Sequence, residues 1–101
     1  MNGNLRLLPL GYNQITALSA AVGLGQGLTN NAVPAGANYA VIIPETQAVR
    51  FRDDGTNPTA GVGVPIAVGQ EFDYTGNLGA VKVIEQTASA KLNIAFYKIA
   101  G

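Results

Sequence analysis

Histidine and cysteine are both absent from this chain, and charge is scarce: six basic and six acidic residues make up 12% of the sequence, against about 25% in an average globular protein. Without histidine the commonest general base, the commonest transition-metal ligand and the side chain that titrates at physiological pH are all missing. Ser-His-Asp and Cys-His catalysis cannot be assembled from such a chain. Without cysteine there are no disulfides and no thiol chemistry, so folding is independent of redox conditions. A run of about 20 apolar residues able to span a bilayer is also lacking. Met1, Asn2, Gly3 and Asn4 show neither the basic start nor the apolar stretch of a secretory signal, which predicts no cleaved leader.

The charges that are present balance to zero. The basic ones are scattered as Arg6, Arg50, Arg52, Lys82, Lys91 and Lys98. Nucleic-acid binding draws on a concentrated positive footprint and an anionic membrane surface on a polybasic run, so neither partner is expected. Hydrophobic residues reach 48%, an ordinary value. A small domain with that apolar content and so little charge either covers itself with Gly, Ala, Asn, Thr and Ser or hides part of its surface against neighbours. The second option, a protomer of an assembly, fits better.

At 101 residues the chain suffices for one domain, residues 1–101, with one modest core. Thirteen glycines and five prolines punctuate short apolar stretches, the pattern of an all-β fold. Leu5–Leu8 is the first stretch, stopped by Pro9 and Gly11. Ile15–Leu24 has Leu18, Ala20, Val22 and Leu24 at period two and glycines that disfavour helix, which predicts a strand. Gly25–Asn31 reads as a polar loop and Val33–Ala37 as a tight turn, with Pro34 and Gly36 at its corners. Asn38–Ile43 and Gln47–Arg52 follow, and the short Pro44-Glu45-Thr46 link predicts an antiparallel hairpin between them. Asp53–Thr59 is the densest turn cluster. Val62, Val64 and Ile66, interleaved with Gly61, Gly63 and Pro65, read as a bulged or edge strand. Glu71–Tyr74, Ala80–Glu85 and Lys91–Tyr97 complete seven or eight strands at intervals of roughly ten residues. This predicts a single-domain antiparallel β-sandwich, a jelly roll or a small barrel. The expected core is Val41, Ile43, Val49, Phe51, Phe72, Tyr74, Val81, Val83, Leu92, Ile94 and Phe96.

Few residues offer chemistry. The adjacent Asp53 and Asp54 could supply hard oxygen ligands to calcium, but their spacing is not that of an EF-hand loop. The plainer reading has one of them accepting backbone hydrogen bonds in the turn while Arg50 or Arg52 balances its charge. Arg50 and Arg52 share one strand face, roughly 7 Å apart by the strand rise. They could grip an acidic partner, a sugar carboxylate or a second subunit, or pair across the sheet with Glu71, Asp73 or Glu85. Arg50, Arg52, Asp53 and Asp54, together with Tyr12, which lies outside any predicted strand, form the candidate interface. Glycosidase chemistry needs two carboxylates across a cleft, and a domain this small has little room for one. Gly23, Gly25 and Gly27 lack the strand-and-helix context of a phosphate loop. Tyr39, Tyr74, Tyr97 and Phe96 could stack on a sugar, although aromatics at period two more often belong to a core or a sheet surface. No catalytic residue, metal ligand or cofactor is expected, and the chain is read as a non-enzyme.

The segments Val33-Pro34-Ala35-Gly36-Ala37, Val49–Thr59 with its Arg-Asp-Asp-Gly-Thr-x-Pro-Thr turn, Gly63-Val64-Pro65-Ile66, Phe72–Gly76 and Ala90–Tyr97 together resemble small virion-associated structural proteins of tailed bacteriophages. The likeness spans about two-thirds of the chain, from Val33 onward. Such proteins carry Trp where Phe51 stands and a shorter segment where Gly25–Asn31 lies. The resemblance implies a capsid decoration (cement) protein, assembled in the host cytoplasm and resident on the virion. Its partners would be copies of itself, trimers being the usual arrangement, and the major capsid protein or another virion component. The alternative is a carbohydrate-binding or receptor-binding β-sandwich of a tail or fibre.

Overall fold

Apolar residues at alternate positions, separated by glycine, proline and short polar turns, give this chain eight strands in the computed structural model, which describes residues 6–100. The strands are β1 (Arg6–Ile15), β2 (Val22–Gly23), β3 (Tyr39–Glu45), β4 (Val49–Arg52), β5 (Val64–Ile66), β6 (Phe72–Thr75), β7 (Lys82–Glu85) and β8 (Lys91–Ala100). Two single 3₁₀ turns, Thr29–Asn31 and Leu78–Ala80, lie in the connections. Leu5 and the first four residues of the predicted leader-free start lie outside the described residues.

The strands form two four-stranded antiparallel sheets, ordered β1-β8-β3-β6 and β2-β7-β4-β5. Neither closes on itself, so the barrel among the sequence expectations does not form. Every connection except β4–β5 carries the chain from one sheet to the other. The pairings are nested: β1 with β8, β2 with β7, β3 with β6 and β4 with β5, all antiparallel. The predicted β3–β4 hairpin is therefore a correction. Thr46, between those strands, has φ 72°, a conformation that a β-branched residue rarely adopts. That corner turns the chain out of the first sheet and into the second instead of folding it back. The Thr46 hydroxyl holds the corner by donating to the Ser89 carbonyl at 2.7 Å.

Both sheets contribute to one core. Val49, Phe51, Val81, Val83, Leu92, Ile94 and Phe96 are buried within it, joined by Ile15, Leu18, Leu24, Ile66 and Leu78. Phe72 and Tyr74 are half-buried and pack against it. The facing of β3 is the reverse of the expected one: Ala40 and Ile42 are fully buried, whereas Val41 and Ile43 are half-buried on the outer face. The register explains this, because Ala40 stands beside Phe96 and Ile42 beside Ile94 on β8. A small residue next to the largest core side chain leaves the ring its volume, and reversing the strand would crowd Val41 into that place.

Two other strand expectations change. Ile15–Leu24 is not one strand: Ile15 ends β1 opposite Leu92 of β8, Val22 and Gly23 pair with β7, and the residues between them bridge the two sheets. β1 does not stop at Pro9 but continues to Ile15, with a bulge between Pro9 and Gly11. The Asn38 amide donates to the Tyr97 carbonyl, so the Tyr97 backbone addresses β3. Pro9, opposite Tyr97, therefore turns its backbone to the open edge, where a missing N–H costs no ladder bond.

Candidate binding surfaces

The predicted interface residues do not come together as one site. On β4, Val49 and Phe51 point inward and Arg50 and Arg52 outward, but the two guanidiniums part company. Arg50 donates from Nε to the Ala60 carbonyl at 3.0 Å and from Nη1 to the Gly63 carbonyl at 2.8 Å, pinning the turn before β5. Arg52 forms a two-point pair with Asp54, Nε to Oδ1 at 3.0 Å and Nη2 to Oδ2 at 2.5 Å, the one ion pair among the described residues. The guanidinium holds the Asp54 carboxyl below its usual range, and Asp54 in turn raises Arg52. Asp54 also accepts from the Thr56 amide at 3.3 Å, the turn role read from the sequence.

Asp53 turns the other way and accepts from the Tyr74 hydroxyl at 2.7 Å, a bond that raises the tyrosine's pKa. The adjacent aspartates thus serve separate partners. Neither Glu71, Asp73 nor Glu85 pairs with an arginine: Glu85 accepts from the Ser89 and Ala90 amides, while Asp73 accepts from the Tyr39 hydroxyl at 2.6 Å. Among the described residues no group of three or more Asp and Glu side chains is placed to hold a metal. The four aromatics of the imagined sugar platform are also divided. Phe96 is buried, Tyr74 leans on Phe72 with 6.4 Å between ring centroids, and Tyr39 and Tyr97 meet at 5.9 Å on the outer face.

What the fold leaves open is apolar. Among the described residues, the large hydrophobic side chains still exposed are Leu7, Leu8, Leu10 and Tyr12 on β1, and Val62, Val64 and Val68 around β5. These are edge strands of different sheets. They lie on opposite sides of the domain, since Asn13 of β1 bonds to the residues flanking β2 while Phe51 of β4 touches Phe72 of β6, ring centroids 4.7 Å apart.

Beside β1 lies a cleft of about 500 Å³ between Leu10, Gly11 and Tyr12 on one wall and Leu28, Asn30, Val33 and Pro34 on the other. Its far wall is rigid for identifiable reasons. The buried Asn13 amide donates to the carbonyls of Leu24 (3.0 Å) and Gln26 (2.9 Å). Gly25 packs so closely that a Cβ there would fall 2.3 Å from the Ala32 carbonyl carbon. Tyr12, 57% exposed, has its hydroxyl tied to Asn93 Oδ1 at 2.5 Å, which fixes the ring along the rim. A smaller groove of about 340 Å³ adjoins β5, between Val62, Gly63 and Val64 and the Arg52–Asp54 turn.

Of the expected interface residues, Tyr12 thus borders the β1 cleft and Arg52, Asp53 and Asp54 border the β5 groove, while Arg50 is spent on the turn at 60–63. The β1 leucines were hidden from sequence reading because consecutive Leu7 and Leu8 break the alternation that marks a buried face. Asn13 was equally hidden, since nothing local marks it as buried. Comparison of the chain with protein-family models, curated proteins and solved structures gives no match.

Proposed function

We propose that this chain is a non-enzymatic structural subunit of a phage virion, a capsid decoration or cement protein that assembles with copies of itself and docks on the capsid surface. The observation that carries the reading is the placement of exposed apolar side chains on the edges of both sheets, in a domain with little charge to keep copies apart. Charged side chains on the surface are instead consumed internally, Arg50 and Arg52 above all. The nested pairing supports a finer description of the fold. A ribbon with β1 against β8, β2 against β7, β3 against β6 and β4 against β5, rolled into two four-stranded sheets, has the strand order of a jelly roll, an architecture that viral capsid domains use. The virion itself comes from the resemblance of residues 33–97 to phage proteins. Native mass spectrometry of the purified protein and quantitative proteomics of purified virions test the proposal. A defined oligomer and a stoichiometric virion component are expected; a strict monomer absent from virions overturns it.

One observation favours a second reading, a carbohydrate-binding or receptor-binding module of a tail or fibre. The β1 cleft combines an exposed, fixed Tyr12 ring with the side chains of Thr29 and Asn30, the mixture of aromatic face and hydrogen-bonding groups that sugars require. A glycan array showing binding by the wild type, abolished in Tyr12→Ala, would place the chain there.

A further inference from the structure

The two apolar edges differ in charge as well as in position. At the leucine end of β1 the charged residues are Arg6 and, opposite Leu8 on β8, Lys98; Glu45 lies at the other end of the strand, bonded to the Asn93 side chain that also accepts from Tyr12. Around β5 the groove is bordered by Arg52, Asp53 and Asp54; Arg50 sits in the adjoining turn on the Ala60 and Gly63 carbonyls, and Glu71 and Asp73 lie at the β6 edge on the same side of the domain, so four carboxylates outnumber two guanidiniums. From this we infer that copies of the chain join head to tail, the basic leucine arm of β1 and β8 in one copy seating on the acidic valine edge of β5 in the next. This inference rests on the assembly reading above and names the two faces that meet.

Two features favour this contact over the simpler twofold one, arm against arm. A twofold contact brings two copies of Arg6 and Lys98 together, and like charges across a strand pair repel. Pro9 offers no N–H to the open edge, so either contact rests on side chains and not on strand addition along β1. A twofold contact also leaves Val62, Val64 and Val68 uncovered, whereas head-to-tail contact covers both patches with one interaction. The other edges are guarded. Among the described residues neither β2 nor β6 carries a large exposed hydrophobic side chain, and β6 has Asp73 in it and Glu71 beside it; charged edges resist pairing. A heterologous contact of this kind propagates into a ring when its rotation closes. Each patch is small against the ~800 Å² that one partner contributes to a standard interface. Affinity per contact is therefore low, and closure or a capsid lattice supplies the avidity.

The arrangement is tested by complementation. Leu8→Asp disables the arm and Val64→Asp the edge; both side chains are exposed, 44% and 52%, so circular dichroism and melting temperature should stay close to wild type. At about 100 µM, where contacts of micromolar affinity are populated, native mass spectrometry should show an oligomer for the wild type and a monomer for each variant alone. An equimolar mixture should give a heterodimer and nothing larger, because one intact arm meets one intact edge. A mixture that stays monomeric, or a Val64→Asp protein that still oligomerises alone, overturns the head-to-tail contact. Lys98→Glu and Asp53→Lys provide a second pair should either aspartate variant lose its fold: each alone should weaken assembly, and the mixture should recover it, because both arm–edge combinations in the mixture bring opposite charges together. Failure here leaves the virion role standing if proteomics finds the protein in particles. Absence from particles removes that role without touching the contact.

Discussion

The Asn13 amide, 7% exposed, sends both its hydrogen bonds into the chain that forms the wall of the β1 cleft. Removing it strands two carbonyls, and an unsatisfied buried group costs about 1–3 kcal/mol. Asn13→Ala is therefore expected to destabilise the domain by about 2–3 kcal/mol in urea melts, while Gln14→Ala, one residue along on the outer face, should stay within about 0.5 kcal/mol. The β3 facing is open to the same kind of comparison: Ile42→Ala should cost about 2–5 kcal/mol, and Ile43→Ala about 1 kcal/mol because that side chain is only half-buried. Equal losses would mean that the strand facing is wrong. Titration adds a third residue-level expectation. Its bond to Asp73 and then burial push the Tyr39 hydroxyl from 10.0 up to about 12. A group whose pKa rises on folding stabilises the fold fully below its unfolded value and loses that contribution as pH climbs through the folded one. Stability should thus fall between pH 10 and about 12. Tyr39→Phe should be weaker than wild type by about 1 kcal/mol or less at neutral pH, and its melting temperature should decline less steeply from about pH 10 upward. On the acid side, Asp54 is lowered by Arg52 and Glu71 is raised by Asp73. The first contribution disappears as pH falls while the second grows, so the two oppose each other.

At the scale of elements, the turn before β5 hangs on Arg50. Its two bonds to the Ala60 and Gly63 carbonyls hold a segment whose other hydrogen bonds, the Thr59–Val62 bridge and the Gly61 amide on the Thr59 hydroxyl, are internal to it. Gly63 at φ 143° would place a Cβ 3.1 Å from Arg50, Phe51 and Pro58, so this turn has little room to adjust. Arg50→Ala should cost about 1–2 kcal/mol and raise amide exchange specifically over residues 59–63. Arg50→Lys should recover only part of either, since an ammonium lacks the fork that reaches two carbonyls at once. Elements were legible in the sequence where one face alternated cleanly. Val49 and Phe51 against Arg50 and Arg52, and Leu92, Ile94 and Phe96 on β8, could be read directly as inward or outward. On β3 every residue from Tyr39 to Ile43 is apolar or small, so period two carried no information and the register with β8 decided the facing. Ile15–Leu24 alternates without being a strand, because Leu18 and Leu24 are buried from a chain that crosses between sheets. The hairpin rule failed at Pro44-Glu45-Thr46 for the same reason: in a fold where all but one connection changes sheet, a short link does not imply pairing. The candidate surfaces were the least legible part, since exposure of Leu7, Leu8 and Leu10 is a property of where β1 ends up and not of its composition.

The nested pairing gives the whole molecule a centre of symmetry in its connectivity, the β4–β5 link, with β1 and β8 closing the other end. Arg6 stands opposite Ala100, so in a chain of residues 6–100 a short Gly-Ser linker joining these two residues spans neighbouring positions and adds little closure entropy. Cutting the permuted chain between Gly55 and Thr56, both exposed, leaves every strand pair intact and loosens only the Asp54–Thr56 turn. Such a permutant should fold, with unchanged far-UV circular dichroism and a loss of about 1–2 kcal/mol. A cut at Thr46 is a different matter. It severs the corner that moves the chain between sheets and frees the hydroxyl bond to Ser89, which joins the β3–β4 and β7–β8 connections. Because both sheets share one core, loss of that corner should be felt throughout, as a single transition shifted to lower denaturant and not as a separate melting of one sheet. If the Thr46 permutant proves as stable as the Gly55 one, the corner contributes nothing to holding the sheets together; if the Gly55 permutant fails to fold, the β4–β5 link is indispensable in a way that nested pairing does not require.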